Sequence, residues 1–393
     1  MKRKLCALLL AIGLLMSAAA CNASQNNAAK ESAPLSSAAS VDTSATDQPS
    51  VQPSETGPEK EETVDLDYWT ADSKVTQSIK DFVASVTDET SDSYVPPAER
   101  VAVFDSDGTL YGELFPTYID QCLMIHRLVH DDTYQGNAED KAYCEALEKA
   151  LLTGEKAPKA PRSSGYILAD AFKGMTVEEY RAYFRDFLAQ PAVGFEGMTY
   201  AQGYYKPMVA LVRYLAANDF QVFVVSGAET NLLRELSKDT LGEWIPPYRV
   251  VGTQFSLTAP GQGETPARDY TYQPDDKVIF GGDMTFKNLK MNKVVSIVNY
   301  IGVAPILAFG NSSGDLAMGE YTVQHGGKAY MLLCDDTDRD YGKLDVAASF
   351  AEDCQKLGFE TVSMKNDFTT IYGDNVIKTK IEAPAETSVV PAA

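Results

Sequence analysis

Two aspartates separated by one residue stand at the end of a short apolar run, where Val101-Ala102-Val103-Phe104 leads into Asp105-Ser106-Asp107-Gly108-Thr109-Leu110. An apolar run of this length reads as a buried strand, and Gly108 suits the sharp turn that follows it. Residues i and i+2 of a strand share a face, and the turn lets one carboxylate point forward while the other folds back over the same spot. Carboxylates this close repel unless a proton or a cation lies between them, which makes Mg²⁺ their natural companion. The competing reading is an ordinary surface turn, since Asp, Ser and Gly are common turn residues. The downstream segments separate the two.

Gln221 to Val225 is a second apolar strand, ending in Ser226-Gly227 before a helical stretch. A hydroxyl among free N–H groups at such a junction binds anions, although a serine there is also a common helix cap. A helix from Asn288 carries Lys290 and Lys293 ahead of Val294, Val295, Ile297, Val298 and Ile301. Either lysine can act as a point charge on a phosphoryl group; Lys293 is favoured because it directly precedes the apolar run. Pro305 to Gly310 is a further strand, closed by Asn311-Ser312-Ser313-Gly314-Asp315. Oxygen atoms of Asn311 or Asp315 can complete a Mg²⁺ shell begun by Asp105 and the Asp107 carbonyl.

These segments need a scaffold that brings strand ends together. Strand-like runs at 101–105, 221–226, 278–280, 305–310 and 328–333 alternate with helical patterns at 206–218, 229–238, 288–300 and 344–357. That alternation predicts an α/β fold with a mostly parallel sheet covered on both faces. Residues 113–200 hold helical stretches at 116–130, 137–152 and 176–190 and no central strand, so they read as an inserted helical cap at the ligand-binding edge of the sheet. Residues 250–277, rich in Gly, Thr, Tyr and Pro, read as a β-hairpin excursion. An amphipathic helix at 70–87, with Val75, Ile79, Phe82, Val83 and Val86 on one side, leads into the body.

The four segments together resemble those of the haloacid-dehalogenase-like (HAD) phosphohydrolases, in the phosphoserine-phosphatase-like branch with a helical C1-type cap. The resemblance spans about residues 98–335 and implies a HAD-like Rossmannoid sheet. It implies that Asp105 is a nucleophile forming an aspartyl-phosphate and that Asp107 protonates the leaving alcohol and then activates water. By the same resemblance, Ser226, the Gly227 N–H and Lys293 bind phosphate, while Asp105, the Asp107 backbone carbonyl and Asn311 or Asp315 hold Mg²⁺. The family more often has aspartate where this chain has Asn311, which leaves the metal with one fewer formal charge.

The activity so implied is Mg²⁺-dependent hydrolysis of a small phosphomonoester. Tyr111, Phe115, Tyr204 and Tyr205 flank the first two segments and form a candidate aromatic pocket for a quaternary ammonium group. With the stretch 203–208, which is similar to that of phosphocholine-phosphatase-like enzymes, this favours phosphocholine. Alternatives are a phosphoserine phosphatase, a phosphotransferase of the same family, and a non-catalytic binding lipoprotein with this fold.

The chain ends concern location. Residues 1–20 pair Lys2, Arg3 and Lys4 with an apolar stretch ending in small residues before Cys21, the pattern of a secretion signal. The junction resembles a bacterial lipoprotein processing site, implying a lipidated, palmitate-bearing Cys21. Residues 21–64 read as a disordered stalk and 380–393 as a disordered tail, around a core at 65–112 and 201–379. The expectation is an extracytoplasmic protein of the bacterial cell envelope, lipid-anchored to the membrane. A formal net charge of -21 gives no broad cationic surface for nucleic acid. Four cysteines remain, and local pairs are expected, Cys122 with Cys144 and Cys334 with Cys354; reduced buried thiols are the alternative. Neither the cysteines nor the three histidines have zinc-site spacing.

Overall fold

The computed structural model of the chain describes residues 64–113 and 116–381. The expected signal segment, Cys21, nearly all of the stalk, Phe115 and most of the tail lie outside the described residues. In chain order the elements are α1 (Lys74–Thr87), β1 (Val101–Phe104), α2 (Ile119–Ile125), α3 (Ala138–Thr153), α4 (Ser164–Ala171), α5 (Val177–Leu188) and β2 (Phe195–Glu196). They continue with α6 (Lys206–Ala217), β3 (Gln221–Glu229), α7 (Thr230–Ser237), β4 (Val250–Thr258), β5 (Ile279–Phe286), α8 (Met291–Ser296) and β6 (Leu307–Gly310). Last come α9 (Leu316–Gln324), β7 (Lys328–Leu333), α10 (Leu344–Leu357), β8 (Glu360–Ser363), α11 (Met364–Asp367) and β9 (Ile377–Lys378).

Seven strands form one sheet in the order β5-β4-β3-β1-β6-β7-β8. All its pairings are parallel except β4 with β5. Period-two alternation sends Ala102, Phe104, Val222, Val224, Leu307 and Phe309 into a core on one face. It sends Val101, Val103, Phe223, Val225, Ala308 and Met331 into a second core on the other. Phe104, Phe309 and Tyr330 stack across three neighbouring strands, with ring centroids 4.4 and 5.4 Å apart. Asp105 therefore leaves a central strand buried on both faces. With helices inserted between β1 and β3, this is the α/β class with a mostly parallel sheet and a helical insertion that the sequence predicts.

The insertion carries α2 to α5, and it packs on the core through α4 against β5 and α5 against α7. Among the described residues no helix is long and apolar enough to cross a membrane. Several expectations need correction. The stretch read as an excursion contributes β4 to the main sheet, parallel to β3, and only its return with β5 is a hairpin. Strand β8 and helix α4 were not foreseen; both are short, and α4 lacks a clear apolar stripe of its own. The expected disulfides are absent, and Cys122, Cys144, Cys334 and Cys354 are all free thiols. Cys334 packs against one core and Cys354 lies in the core across the sheet, while the Cys122 thiol donates to the Thr117 carbonyl at 3.5 Å.

Candidate active site

Strand β1 delivers Asp105 to the sheet edge, where its N–H donates to the Phe309 carbonyl at 2.9 Å. The chain then turns tightly, with Leu110 and Tyr111 N–H groups both donating to the Ser106 carbonyl. Gly108 takes φ +74, and a Cβ there would stand 1.9 Å from Asn311 Nδ2, so only glycine fits. At the end of β6, Gly310 plays a related part, because a Cβ would meet that of Asp315 at 2.4 Å. The 105–111 loop and the 311–315 loop are thus pressed together.

Of the two candidate lysines, Lys293 reaches Asp105. Its Nζ donates to Asp105 Oδ1 at 2.7 Å and to Asp315 Oδ1 at 2.5 Å, and its side chain is 1% exposed. Burial lowers the Lys293 pKa and the two carboxylates raise it further, so the ammonium stays charged. Lys290 instead sits at the start of α8 with φ +55, its N–H on the Gly314 carbonyl. Asp315 is fully buried, and its Oδ2 accepts from Asn311 N, Ser312 N and Ser312 Oγ at 3.0 to 3.1 Å. Both of its oxygens carry hydrogen bonds, one to Lys293 and the other to its own loop. It anchors Lys293 and stitches the loop.

Asp105, Asp107, Ser226, Gly227, Lys293 and Asp315 line one cavity of about 200 Å³, together with Glu113, Tyr118, Asp120, Gln121, Ser164, Lys287 and Ser312. Asn311 does not line it; it sits behind, its Nδ2 donating to Glu113 Oε2 at 3.0 Å. Burial pushes Asp105 up to about 6 and Asp315 adds to this, with Lys293 opposing both. Asp107 is pushed well above the usual carboxylate range by burial, then by the Asp120, Asp105 and Glu113 charges; the Ile119 N–H opposes them. Its Oδ1 is buried with no hydrogen-bond partner. Burial lifts Glu113 to about 7 against the Asn311 hydrogen bond, and lifts Asp120 against Lys287.

Ser226 is buried, its Oγ accepting from Ala228 N at 3.3 Å. It is not a helix cap, because β3 runs on to Glu229, whose own carboxylate caps α7 through Leu232 N at 2.7 Å. Lys287 Nζ donates to the Gly227 carbonyl at 2.8 Å, and buried Asn288 ties Ser226 O to Val251 O. The approach to Lys293 is thereby fixed on the second segment.

The proposed tyrosine pocket is not found. Tyr111 is buried, its hydroxyl on the Tyr200 carbonyl at 2.6 Å and its ring edge-on to Tyr204 at 5.3 Å. Tyr205 is fully buried against Tyr372, and none of the three lines the cavity. Their rings fill the hinge between insertion and core. Tyr118, 41% exposed, is the aromatic residue on the cavity wall among the described residues. Sequence reasoning missed it along with Glu113, Asp120, Gln121, Ser164 and Lys287. Closeness in sequence to the recognised segments was the available signal for Glu113, Tyr118 and Lys287, and Ser164 had none. A larger cavity of about 410 Å³, lined by Tyr204, Lys206, Arg213 and Trp244, holds none of the catalytic candidates.

Whether Mg²⁺ suits this donor set is answered by its charges. The cavity wall carries five carboxylates against two ammonium groups, and a buried Asp107 oxygen lacks a partner. Among the described residues no three His, Cys, Asp or Glu side chains converge as a ready-made metal group. A set of the Asp105 carboxylate, the Asp107 carbonyl and the Asn311 amide oxygen has only one such side chain. All three are hard oxygen donors of the kind Mg²⁺ takes, so their chemistry fits, with the Asn311 oxygen turned toward Thr109 of the 105–111 loop from behind the cavity wall.

No family model matches the chain, and no curated protein matches it. Solved structures similar in outline include a conserved, functionally unknown protein from Anaerococcus prevotii DSM 20548, 13% identical with a TM-score of 0.45, over 74% of this chain and 91% of that one. A protein of unknown function from Bordetella pertussis Tohama I is 14% identical with a TM-score of 0.41, over 67% and 98%. A phosphoserine phosphohydrolase-like protein from Francisella tularensis subsp. tularensis SCHU S4 is 12% identical with a TM-score of 0.32, over 59% and 87%. Likenesses this distant say nothing of the reaction.

Proposed function

We propose that the chain is a phosphomonoester hydrolase that carries the phosphoryl group briefly on Asp105. The observation that supports this reading above others is the buried Lys293 ammonium bridging Asp105 and Asp315, with Asp107 on the wall of the same cavity. A carboxylate buried without a cation would take up a proton and cease to be a nucleophile; Lys293 keeps Asp105 ionisable near neutral pH. Asp107, two residues on, is held up and so keeps the proton that a leaving alkoxide requires.

In the first half-reaction an Asp105 oxygen attacks phosphorus, the bond to the alcohol oxygen breaks, and the Asp107 proton passes to that oxygen. In the second, the Asp107 carboxylate takes a proton from water as the water oxygen attacks phosphorus. The bond to Asp105 then breaks and inorganic phosphate leaves. Ser226, the Gly227 N–H and Lys293 orient the phosphoryl oxygens. Mg²⁺, held by Asp105, the Asp107 carbonyl and Asn311, would supply positive charge to those oxygens.

The substrate is a small phosphomonoester. The acidic wall formed by Glu113 and Asp120, with Tyr118 beside it, suits a neutral or cationic alcohol portion. Phosphocholine stays compatible through Tyr118 rather than through the buried tyrosines. In the same proposal the protein is tethered in the bacterial envelope by lipid on Cys21. A screen of phosphomonoesters with and without Mg²⁺, with Asp105→Asn as control, tests the reading. Metal-dependent phosphate release by the parent and background release by the variant is the expected result; equal rates would reject Asp105 as nucleophile.

A further inference from the structure

Asn311 stands where a cation site needs charge, and it brings none. Its Nδ2 donates to Glu113 Oε2 at 3.0 Å, and its Oδ1 accepts from Thr109 Oγ1 at 3.4 Å. In its ionised form Glu113 only accepts hydrogen bonds, and it then fixes which end of the amide faces which way. The NH₂ end turns toward Glu113, and the oxygen end is left toward the nucleophile loop.

The other acidic residue of the 311–315 loop cannot supply the missing charge. Asp315 spends one oxygen on Lys293 and the other on three donors of its own loop. Asp105 spends one oxygen on the same lysine. Glu113 is different, since among the described residues it has no salt-bridge partner and one hydrogen bond, to Asn311. It lies on the cavity wall beside Asp105 and Asp107. Gly108 marks how tightly the parts meet, since a Cβ there would fall 2.7 Å from Glu113 Oε2 as well as against Asn311. The buried Asp107 Oδ1, which has no hydrogen-bond partner, belongs to a residue of the same cavity wall.

We propose that Glu113 supplies the carboxylate charge of the divalent-cation site from the segment after the nucleophile loop, and fixes the Asn311 amide with its oxygen toward that site. The charge that the 311–315 loop lacks is carried on a different part of the chain. Glu113 is a positioning residue, and its position at the start of the helical insertion links cation binding to the placement of that insertion. The inference rests on the metal-dependent reading above.

The test reads metal binding without turnover. Full-length parent, Glu113→Gln, Asn311→Asp and the double variant are titrated with Mn²⁺ alone, free Mn²⁺ being followed by electron paramagnetic resonance. Glutamine keeps an acceptor for the Asn311 amide and removes the charge. Glu113→Gln is expected to bind Mn²⁺ about 10- to 100-fold more weakly. Returning a carboxylate to the loop in Glu113→Gln/Asn311→Asp is expected to restore affinity toward the parent's, which also shows that the glutamine variant folds. Unchanged affinity in Glu113→Gln, or a double variant no tighter than the single one, overturns the inference while leaving the hydrolase reading intact. A parent that neither binds Mn²⁺ nor releases phosphate overturns both.

Discussion

Replacing Lys293 by methionine keeps the length and apolar bulk of the side chain and removes its charge. The ammonium sits 2.7 and 2.5 Å from two carboxylate oxygens and is 1% exposed. At an effective dielectric constant near 20, each contact is worth about 6 kcal/mol before desolvation is subtracted. Removing one partner of a buried ion pair costs about 3–5 kcal/mol, because the remaining charges are left uncompensated. Against a typical domain stability of about 5–15 kcal/mol this is a large share. The sign with pH is fixed by the carboxylates. Asp105 already titrates near 6 with the lysine present, above its ordinary value of 3.8, and without the lysine it rises further. The folded variant then binds protons that the unfolded chain does not, so its stability falls as pH rises above the unfolded value and returns as pH drops. Urea denaturation of Lys293→Met at pH 7.5 and pH 5 should show the larger deficit at pH 7.5. Lys293→Met/Asp315→Asn, with one unpaired carboxylate removed, should recover part of it. Phosphate release should be at background in both. A deficit below about 1 kcal/mol at pH 7.5, or one that grows as pH falls, would refute the view that the lysine compensates two buried charges.

Gly108→Ala forces φ +74 on a residue with a Cβ and drives that atom into the Asn311 amide; a loss of about 1–2 kcal/mol and of most phosphate release is expected, read by melting and by activity. Tyr111→Phe strips the hydrogen bond to the Tyr200 carbonyl, so thermal melting should show a loss of about 1–2 kcal/mol with KM unchanged. Tyr118→Ala should do the reverse, raising KM with little change in melting, because Tyr118 lines the cavity. Buried Asp340 is held up to about 6, by burial first, and its Oδ2 accepts from the Tyr372 hydroxyl at 3.0 Å. It therefore opposes folding above that pH and ceases to do so below 3.8. Asp340→Asn should melt higher than the parent at pH 8, and the gap should close at pH 4.

Much of the site was legible because its chemistry is local. A strand that ends in Asp105-Ser106-Asp107-Gly108 must place both carboxylates at a sheet edge, and the apolar runs before Ser226 and Asn311 do the same for their loops. Lys293 could be chosen over Lys290 because helical periodicity puts it next to the buried side of α8. The tyrosines misled for a matching reason. Nearness in sequence to a catalytic loop does not say which way a ring points, and Tyr111, Tyr204 and Tyr205 turned into the core. Strand β4 was hidden because its sequence, though apolar, runs on into a turn-rich connection.

Sequence alone determined the central strands β1, β3, β6 and β7 and the loops that carry Asp105, Ser226 and Asn311, since period-two and helical patterning depend only on near neighbours along the chain. Tertiary structure alone decided that Asp315 serves Lys293, that Cys334 and Cys354 lie on opposite faces of the sheet, and that Glu113 meets Asn311 across 198 residues. These are matters of distance and desolvation, set by how β1, β6 and the insertion pack. They become fixed only when water is excluded from the space between them.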